Sequence, residues 1–247
     1  MTTRKITLFN IEIDALTMEQ SVNLINKAIL ENNQVVHNCI NANKVVLMEK
    51  DEFLRQSLKE ADIISADGQA IVWASQLMGS ALPERVPGID LMENLMQMAN
   101  ENGHKAFLFG AKEEIVKTVC NHYNVIYDGN IVVGYRNGYF SKNEEAEIVG
   151  QINNSGAQML FVAIPSPQKE YFINKYREKL PNILLLMGVG GSFDVVSGNV
   201  KRAPLVFQKL GFEWLYRLYQ EPRKMWKRYL IGNIEFVFLL FKEKFKN

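Results

Sequence analysis

Asp67 stands where proton-transfer chemistry could be done. It follows the apolar run Ile63-Ile64-Ser65-Ala66 and precedes Gly68. A carboxylate at the end of a buried strand is partly desolvated, which raises its pKa and suits removal of a hydroxyl proton. The same position also suits an N-cap for a helix starting near Gln69. A second group is Gly188-Val189-Gly190-Gly191, directly after the apolar Leu184 to Met187. Glycines there let backbone approach a diphosphate and leave amides free to donate. They equally suit a tight strand-to-helix turn, and their spacing is that of neither the P-loop nor the dinucleotide fingerprint. Arg85 lies in the constrained loop Pro83 to Gly88, where it serves either a site or a structural salt bridge.

The charge is unevenly spread. From Lys201 to Asn247 there are eleven Lys or Arg against four Asp or Glu, a net of +7; residues 1–200 carry 17 basic and 23 acidic side chains, a net of −6. The basic end also holds Trp214, Tyr216, Tyr219, Trp226, Tyr229 and four Phe from Phe236 onward. Cations interleaved with amphipathic rings suit anionic headgroups or a phosphate-bearing substrate embedded among them. The plainer alternative is a helix with a solvated basic face. Arg217, Arg223, Lys224, Lys227 and Arg228 recur at three-, four- and seven-residue intervals, so most could share one helical face. Such a face can clamp a pyrophosphate.

Other chemistries find little support. His37, His104 and His122 have no metal-ligand spacing with Cys or carboxylates. There is no Gly-x-Ser-x-Gly nucleophile elbow. Cys39 and Cys120 sit in apolar stretches and read as buried free thiols of a reducing compartment. The acidic body and the absence of a nucleic-acid motif argue against a nucleic-acid partner.

These residues must be positioned by strands and helices. Ile6 to Ile13 alternates around Asn10 as a hairpin does, and Thr17 caps a following helix. Strands are expected at Val35–Ile40, Ala61–Ser65, Lys105–Phe109, Val125–Tyr127, Ile131–Val133, Met159–Ala163 and Ile183–Met187. Helices are expected at about 43–58, then 69–78, 89–102, 113–123, 143–153 and 168–179. The alternation predicts an α/β fold, a Rossmann-like and mainly parallel sheet with helices on both faces, plus a C-terminal helical basic and aromatic appendage. The composition changes near Lys201–Pro204, which divides the chain into residues 1–200 and 201–247. Ligands bind beyond the carboxyl ends of strands in such sheets. That edge gathers Asn41, Asn43, Asp67, Gly110, Gln168, Lys169, Glu170, Gly188 and Gly190.

The N-terminus enters strand sequence without a signal-peptide run. The longest apolar stretch of the tail, Tyr229 to Phe241, is broken by Gly232, Asn233 and Glu235. A bilayer span needs roughly 20 apolar residues. The expectation is a cytoplasmic protein, peripheral on the inner face of the membrane.

The ordered series Ile40-Asn41-Ala42-Asn43-Lys44, Ala66-Asp67-Gly68, Arg85 to Asp90, Phe109-Gly110, Gly138 to Phe140, Pro167 to Glu170, Gly188 to Asp194, Arg202 to Pro204, Phe212 to Leu218 and Glu221 to Arg223 resembles the WecG/TagA/CpsF glycosyltransferases, glycosyltransferase family 26. The resemblance covers nearly the whole chain. It implies an inverting sugar transfer without metal or cofactor, from a UDP-sugar donor (often UDP-N-acetylmannosamine) to a sugar on undecaprenyl diphosphate. The products feed teichoic acid linkage units and other surface polysaccharides. It implies that Asp67 is the base and that Arg85 belongs to the active site. It further implies that Asn41, Asn43, Gly110, Gln168, Lys169, Glu170, Gly188, Gly190 and Asp194 line the substrate site. Arg217, Arg223, Lys224 and Arg228 match the cations that meet the lipid diphosphate. Two departures stand out. Asn41 replaces a frequent Thr, and Gln168-Lys169 inverts a frequent Lys-Gln pair. Lys169 thereby puts a charge where an amide usually contacts the ligand, which suggests a UDP-hexose or UDP-uronic acid donor as the alternative. A silent membrane-associated protein that binds UDP or lipid is a further alternative. A tail closing over the site also suggests a possible homo-oligomer.

Overall fold

The computed structural model describes residues 3–127 and 129–245, apart from the side chain of Lys224. A two-stranded antiparallel hairpin opens the chain, with β1 at Lys5–Leu8 and β2 at Ile11–Asp14. Its two-residue turn places Phe9 and Asn10 at φ 52° and 64°, the left-handed geometry that matches strand twist. Asp14 ties this hairpin to the next layer, accepting the Ile64 N–H at 2.8 Å. Helix α1, Met18–Leu30, starts in a capping box between Thr17 and Gln20.

Six parallel strands form the centre: β3 Val35–Ile40, β4 Ile63–Ala66, β5 Ala106–Gly110, β6 Val132–Arg136, β7 Met159–Ala163 and β8 Leu185–Gly188. Their order is β4-β3-β8-β7-β5-β6. Every residue of β3, β4, β5, β7 and β8 is buried, as expected when helices cover both faces of a parallel sheet. Because all six strands run the same way, the segments after β3, β4, β7 and β8 emerge side by side at one edge.

The helices between strands are α2 Ala42–Lys50, α3 Glu52–Lys59, α4 Gln69–Leu77, α5 Gly88–Asn102, α6 Glu113–Ile126, α7 Glu145–Asn154 and α8 Gln168–Tyr176. Two expectations need correction. The single helix expected over 43–58 is two, because Asp51 adopts φ −140° and caps α3, accepting the Leu54 N–H at 3.0 Å. Val125–Tyr127 is no strand, since α6 runs on to Ile126. Asn124 locks that last turn to β6 by bonding both backbone groups of Val132, at 2.9 and 3.1 Å. This tertiary bond outweighs the β preference of a short Val-Ile-Tyr run.

After α9, Ser192–Val196, the tail continues as α10 Leu205–Lys209, α11 Glu213–Gln220, α12 Pro222–Trp226, a π turn at Lys227–Ile231 and α13 Gly232–Lys244. The tail is therefore no single helix with one basic stripe. Pro222 lacks an N–H and pushes Glu221 out of the helical region, to φ −128° and ψ 60°, so α11 and α12 form a corner. Helix α13 packs on α2. Phe236 is buried in the cluster that holds Ile40, Val45 and Ile64, its ring 5.6 Å from that of Phe9. Lys50 and Glu235 pair at 2.8 Å across the same seam.

Candidate active site

Asp67 directly follows β4 at the shared edge. The N-cap of α4 is Gly68 at φ +118°, a conformation open to glycine, and no side chain caps the helix. The carboxylate of Asp67 is thus not spent on the helix. It accepts a long hydrogen bond from Asn41 Nδ2, at 3.4 Å. Burial pushes the Asp67 pKa up, and Glu213 adds to this, while Asn41, Arg85 and Lys44 oppose it. A half-buried carboxylate that is readily protonated is a competent acceptor of a hydroxyl proton.

Asn41 does two things at once. Its Oδ1 caps α2 by accepting the Lys44 N–H at 3.0 Å, and its amide points to Asp67. Asn43, two residues on, lies toward the start of α13, where a Cβ at Gly232 would come 3.9 Å from its Oδ1.

Beside Asn41, a buried ionic cluster underlies the edge. Glu170 Oε1 is 2.9 Å from Lys44 Nζ and 3.0 Å from Lys169 Nζ, and it accepts the Ser166 hydroxyl at 2.9 Å. Lys169 also bonds Ser166. Their side chains are 5%, 7% and 0% exposed for Lys44, Lys169 and Glu170. Burial would raise Glu170, but the two ammonium groups outweigh it and hold its carboxyl well below the usual range. Burial and then Lys44 bring the Lys169 pKa down to about 8, against the pull of Glu170. Lys169 is thus turned inward to Glu170 and Ser166, and with two ammonium groups on one carboxylate the cluster keeps a net positive charge beneath the edge. Gln168, by contrast, is exposed at the start of α8.

The glycines after β8 are crowded by side chains. A Cβ at Gly188 would lie 2.9 Å from Lys169 Cδ and Cε, and one at Gly191 would lie 2.7 Å from Arg217 Nη2. Gly190 turns the chain at φ +55°. The guanidinium of Arg217, from α11, thus lies on the turn proposed to approach a diphosphate. Its Nε is buried without a hydrogen-bond partner among the described residues.

Arg85 is pinned next to Asp67 by its backbone, since Val86 N–H donates to Ala66 O at 2.9 Å. Its Nη1 meets Glu213 Oε2 of α11 at 2.5 Å. Arg202 joins this group, with Asp90 at 2.6 Å and Glu213 at 3.8 Å. Asp67, Asn41, Arg85 and Arg217 are therefore brought to one edge, together with the Gly188–Gly191 turn. Asp194 pairs with Asn199 at 3.0 Å, and Gly110 packs its backbone on Ala163. Arg223 and Arg228 are exposed beyond the corner at Pro222, Arg228 over the Tyr229 ring at 5.5 Å. The side chain of Lys224 lies outside the described residues.

Comparison with known proteins fits this arrangement. Residues 6–247 match the family model described as "Glycosyl transferase WecG/TagA/CpsF family". The chain belongs to that family. Two relatives carry the name N-acetylglucosaminyldiphosphoundecaprenol N-acetyl-beta-D-mannosaminyltransferase. The one from Bacillus spizizenii is 38% identical over 173 residues, 70% of this chain and 66% of its own length. The one from Bacillus subtilis is 37% identical over 181 residues, 73% of this chain and 69% of its own length. The chain thus spans about two thirds of the length of these relatives.

Sequence reasoning passed over three charged side chains at this edge: Lys44, Arg202 and Glu213. Lys44 was in view as the end of the Asn41-Ala42-Asn43-Lys44 segment. Glu213 had a signal too, being one of four acids in a strongly basic tail.

Proposed function

We propose that this chain transfers N-acetylmannosamine from a UDP-linked donor to N-acetylglucosamine carried on undecaprenyl diphosphate, with inversion at the anomeric carbon. The observation that carries the reading is the convergence of Asp67 with Arg85 and Arg217 at the carboxyl edge of the sheet. The names of the relatives supply the donor sugar and the acceptor. In the proposed step the acceptor hydroxyl attacks the anomeric carbon and gives its proton to Asp67. The bond from that carbon to the UDP oxygen breaks, and the electron pair leaves on the diphosphate. Positive charge and free amides at the leaving group lower the barrier. Arg217 over Gly190-Gly191 is suited to supply them, and Arg85 adds its charge at the same edge while paired with Glu213.

The tail suits a lipid-linked acceptor. Helix α11 directs Glu213 and Arg217 at the body, while Leu215 and Tyr219 on its other side are exposed. These two residues, with Phe207, Tyr216 and Leu218, line an apolar groove of about 550 Å³. Ile234, Phe238 and Phe241 of α13 are also exposed, and Lys227 lies over the Trp226 ring at 5.6 Å. Among the described residues no helix is long and apolar enough to cross a membrane. An exposed apolar surface fringed with cations is suited to lie in a headgroup interface.

The test is turnover with a panel of UDP-sugars and a short-chain lipid-diphosphate N-acetylglucosamine, read by mass. A gain of one N-acetylhexosamine with UDP-N-acetylmannosamine supports the proposal. Transfer from another donor alone corrects the sugar, and no transfer despite UDP binding favours a silent binding protein. Flotation with anionic and neutral vesicles tests the tail, with binding to anionic vesicles expected.

A further inference from the structure

Glu213 is an acid on the body-facing side of a basic tail. Local spacing alone would pair it with Arg217, one helical turn along. It pairs instead with Arg85, 128 residues away, at 2.5 Å, and approaches Arg202 at 3.8 Å. Arg202 in turn holds Asp90 of α5 at 2.6 Å. The tail carboxylate is therefore the anion that the Arg85 guanidinium has taken.

That choice matters because a second carboxylate is close by. Asp67 and Arg85 flank the bonded backbone pair Ala66–Val86. An arginine is long enough to reach either carboxylate, and an ion pair with Asp67 would weaken it as a base by favouring its charged form. In the structure Arg85 pairs with Glu213 and makes no ion pair with Asp67. The groups acting on Asp67 are then few. Asn41 donates from the start of α2, Lys44 adds positive charge from α2, Arg85 acts from the loop before α5, and Glu213 adds negative charge from α11. The Cys39 thiol on β3 is also close, and burial first, then Asp67, push it up to about 12, so it stays neutral.

We propose that Glu213 is a positioning residue for sugar transfer: carried in by the docked tail, it engages Arg85 and so leaves Asp67 free to take the acceptor proton. The tail then contributes more than cations and apolar surface, because its docking completes the base. This inference rests on the proposed transfer reaction for its meaning, but not for its test.

Two measurements on the full chain decide it. The first is the titration of the Asp67 carboxyl by carbon NMR, in the unmodified protein and in Glu213→Gln. The Gln variant is expected to lower the midpoint, since a negative neighbour is removed and Arg85 is released toward Asp67. In an Arg85→Gln background, Glu213→Gln is expected to give a clearly smaller shift, because the released guanidinium is absent. An unchanged midpoint in Glu213→Gln overturns the inference, whether or not the protein transfers sugar. The second is the pH dependence of kcat. Glu213→Gln is expected to lower kcat about tenfold with donor KM within about twofold, a signature of weakened proton transfer. Its acid limb is expected to move to lower pH, and Glu213→Asp is expected to restore most of the rate. A loss of rate with an unmoved acid limb, equal in the Gln and Asp variants, reduces Glu213 to a tail anchor. A shifted midpoint in a protein that transfers no sugar leaves the inference standing and overturns the reaction reading alone.

Discussion

Two ionic clusters border the edge that holds Asp67, and they differ in how far they are open to water. Lys44, Glu170 and Lys169 are closed off from water and share one carboxylate between two ammonium groups. They tie the start of α2 to the start of α8 beneath the end of β8. Arg85, Glu213 and Arg202 are half-open and join the tail to the body. A buried cluster cannot be remade without leaving a charge unpaired, which is costly. A half-open pair is worth little in stability. We propose that the first cluster serves as scaffold and the second as the contact through which the tail acts on the site.

This contrast can be broken at several points. Glu170→Gln removes the shared counter-charge of two buried lysines. It is expected to destabilise the fold by about 3–5 kcal/mol, measured by urea unfolding, and a loss under 1 kcal/mol, on the order of a surface pair, would erase the distinction. Gly188→Ala drives a Cβ into the Lys169 stem at 2.9 Å. It is expected to cost about 1–3 kcal/mol as overpacking, seen as a lower urea midpoint with unchanged slope. Asp67→Asn should move stability the other way. A carboxyl whose folded pKa is raised binds more protons in the native state than in the unfolded one, so its contribution to stability falls as pH rises through that range. The Asn variant is therefore expected to be more stable than the original at neutral pH, with the gain vanishing in acid below the unfolded value. Glu213→Gln should show the smallest change in stability, about 0–1 kcal/mol, while altering the pH profile. A stability loss as large as that of Glu170→Gln would make the second cluster scaffold as well.

Much of the fold was legible because strands buried on both faces read as short apolar runs, and β5, β7 and β8 are of that kind. Val125–Tyr127 misled for the same reason, since an apolar run does not reveal that Asn124 holds the helix closed against Val132. Strand ends made Asn41, Asp67 and the Gly188–Gly191 turn visible. The meaning of those glycines was not visible, because the Lys169 stem and the Arg217 guanidinium arrive from other elements. Glu213 escaped because its partner is distant in sequence and a nearer one, Arg217, offered itself. The corner at Pro222 had a local signal, since a residue before proline is pushed out of the helical region.

The central claim is that Asp67 takes the acceptor proton. The most direct measurement compares transfer by the original chain and by Asp67→Asn, with UDP-N-acetylmannosamine and a short-chain lipid-diphosphate N-acetylglucosamine, each protein checked for folding by circular dichroism. The expected result is a folded variant whose rate falls by about 10²–10⁴-fold. A folded Asp67→Asn protein that transfers sugar at the original rate would contradict the account.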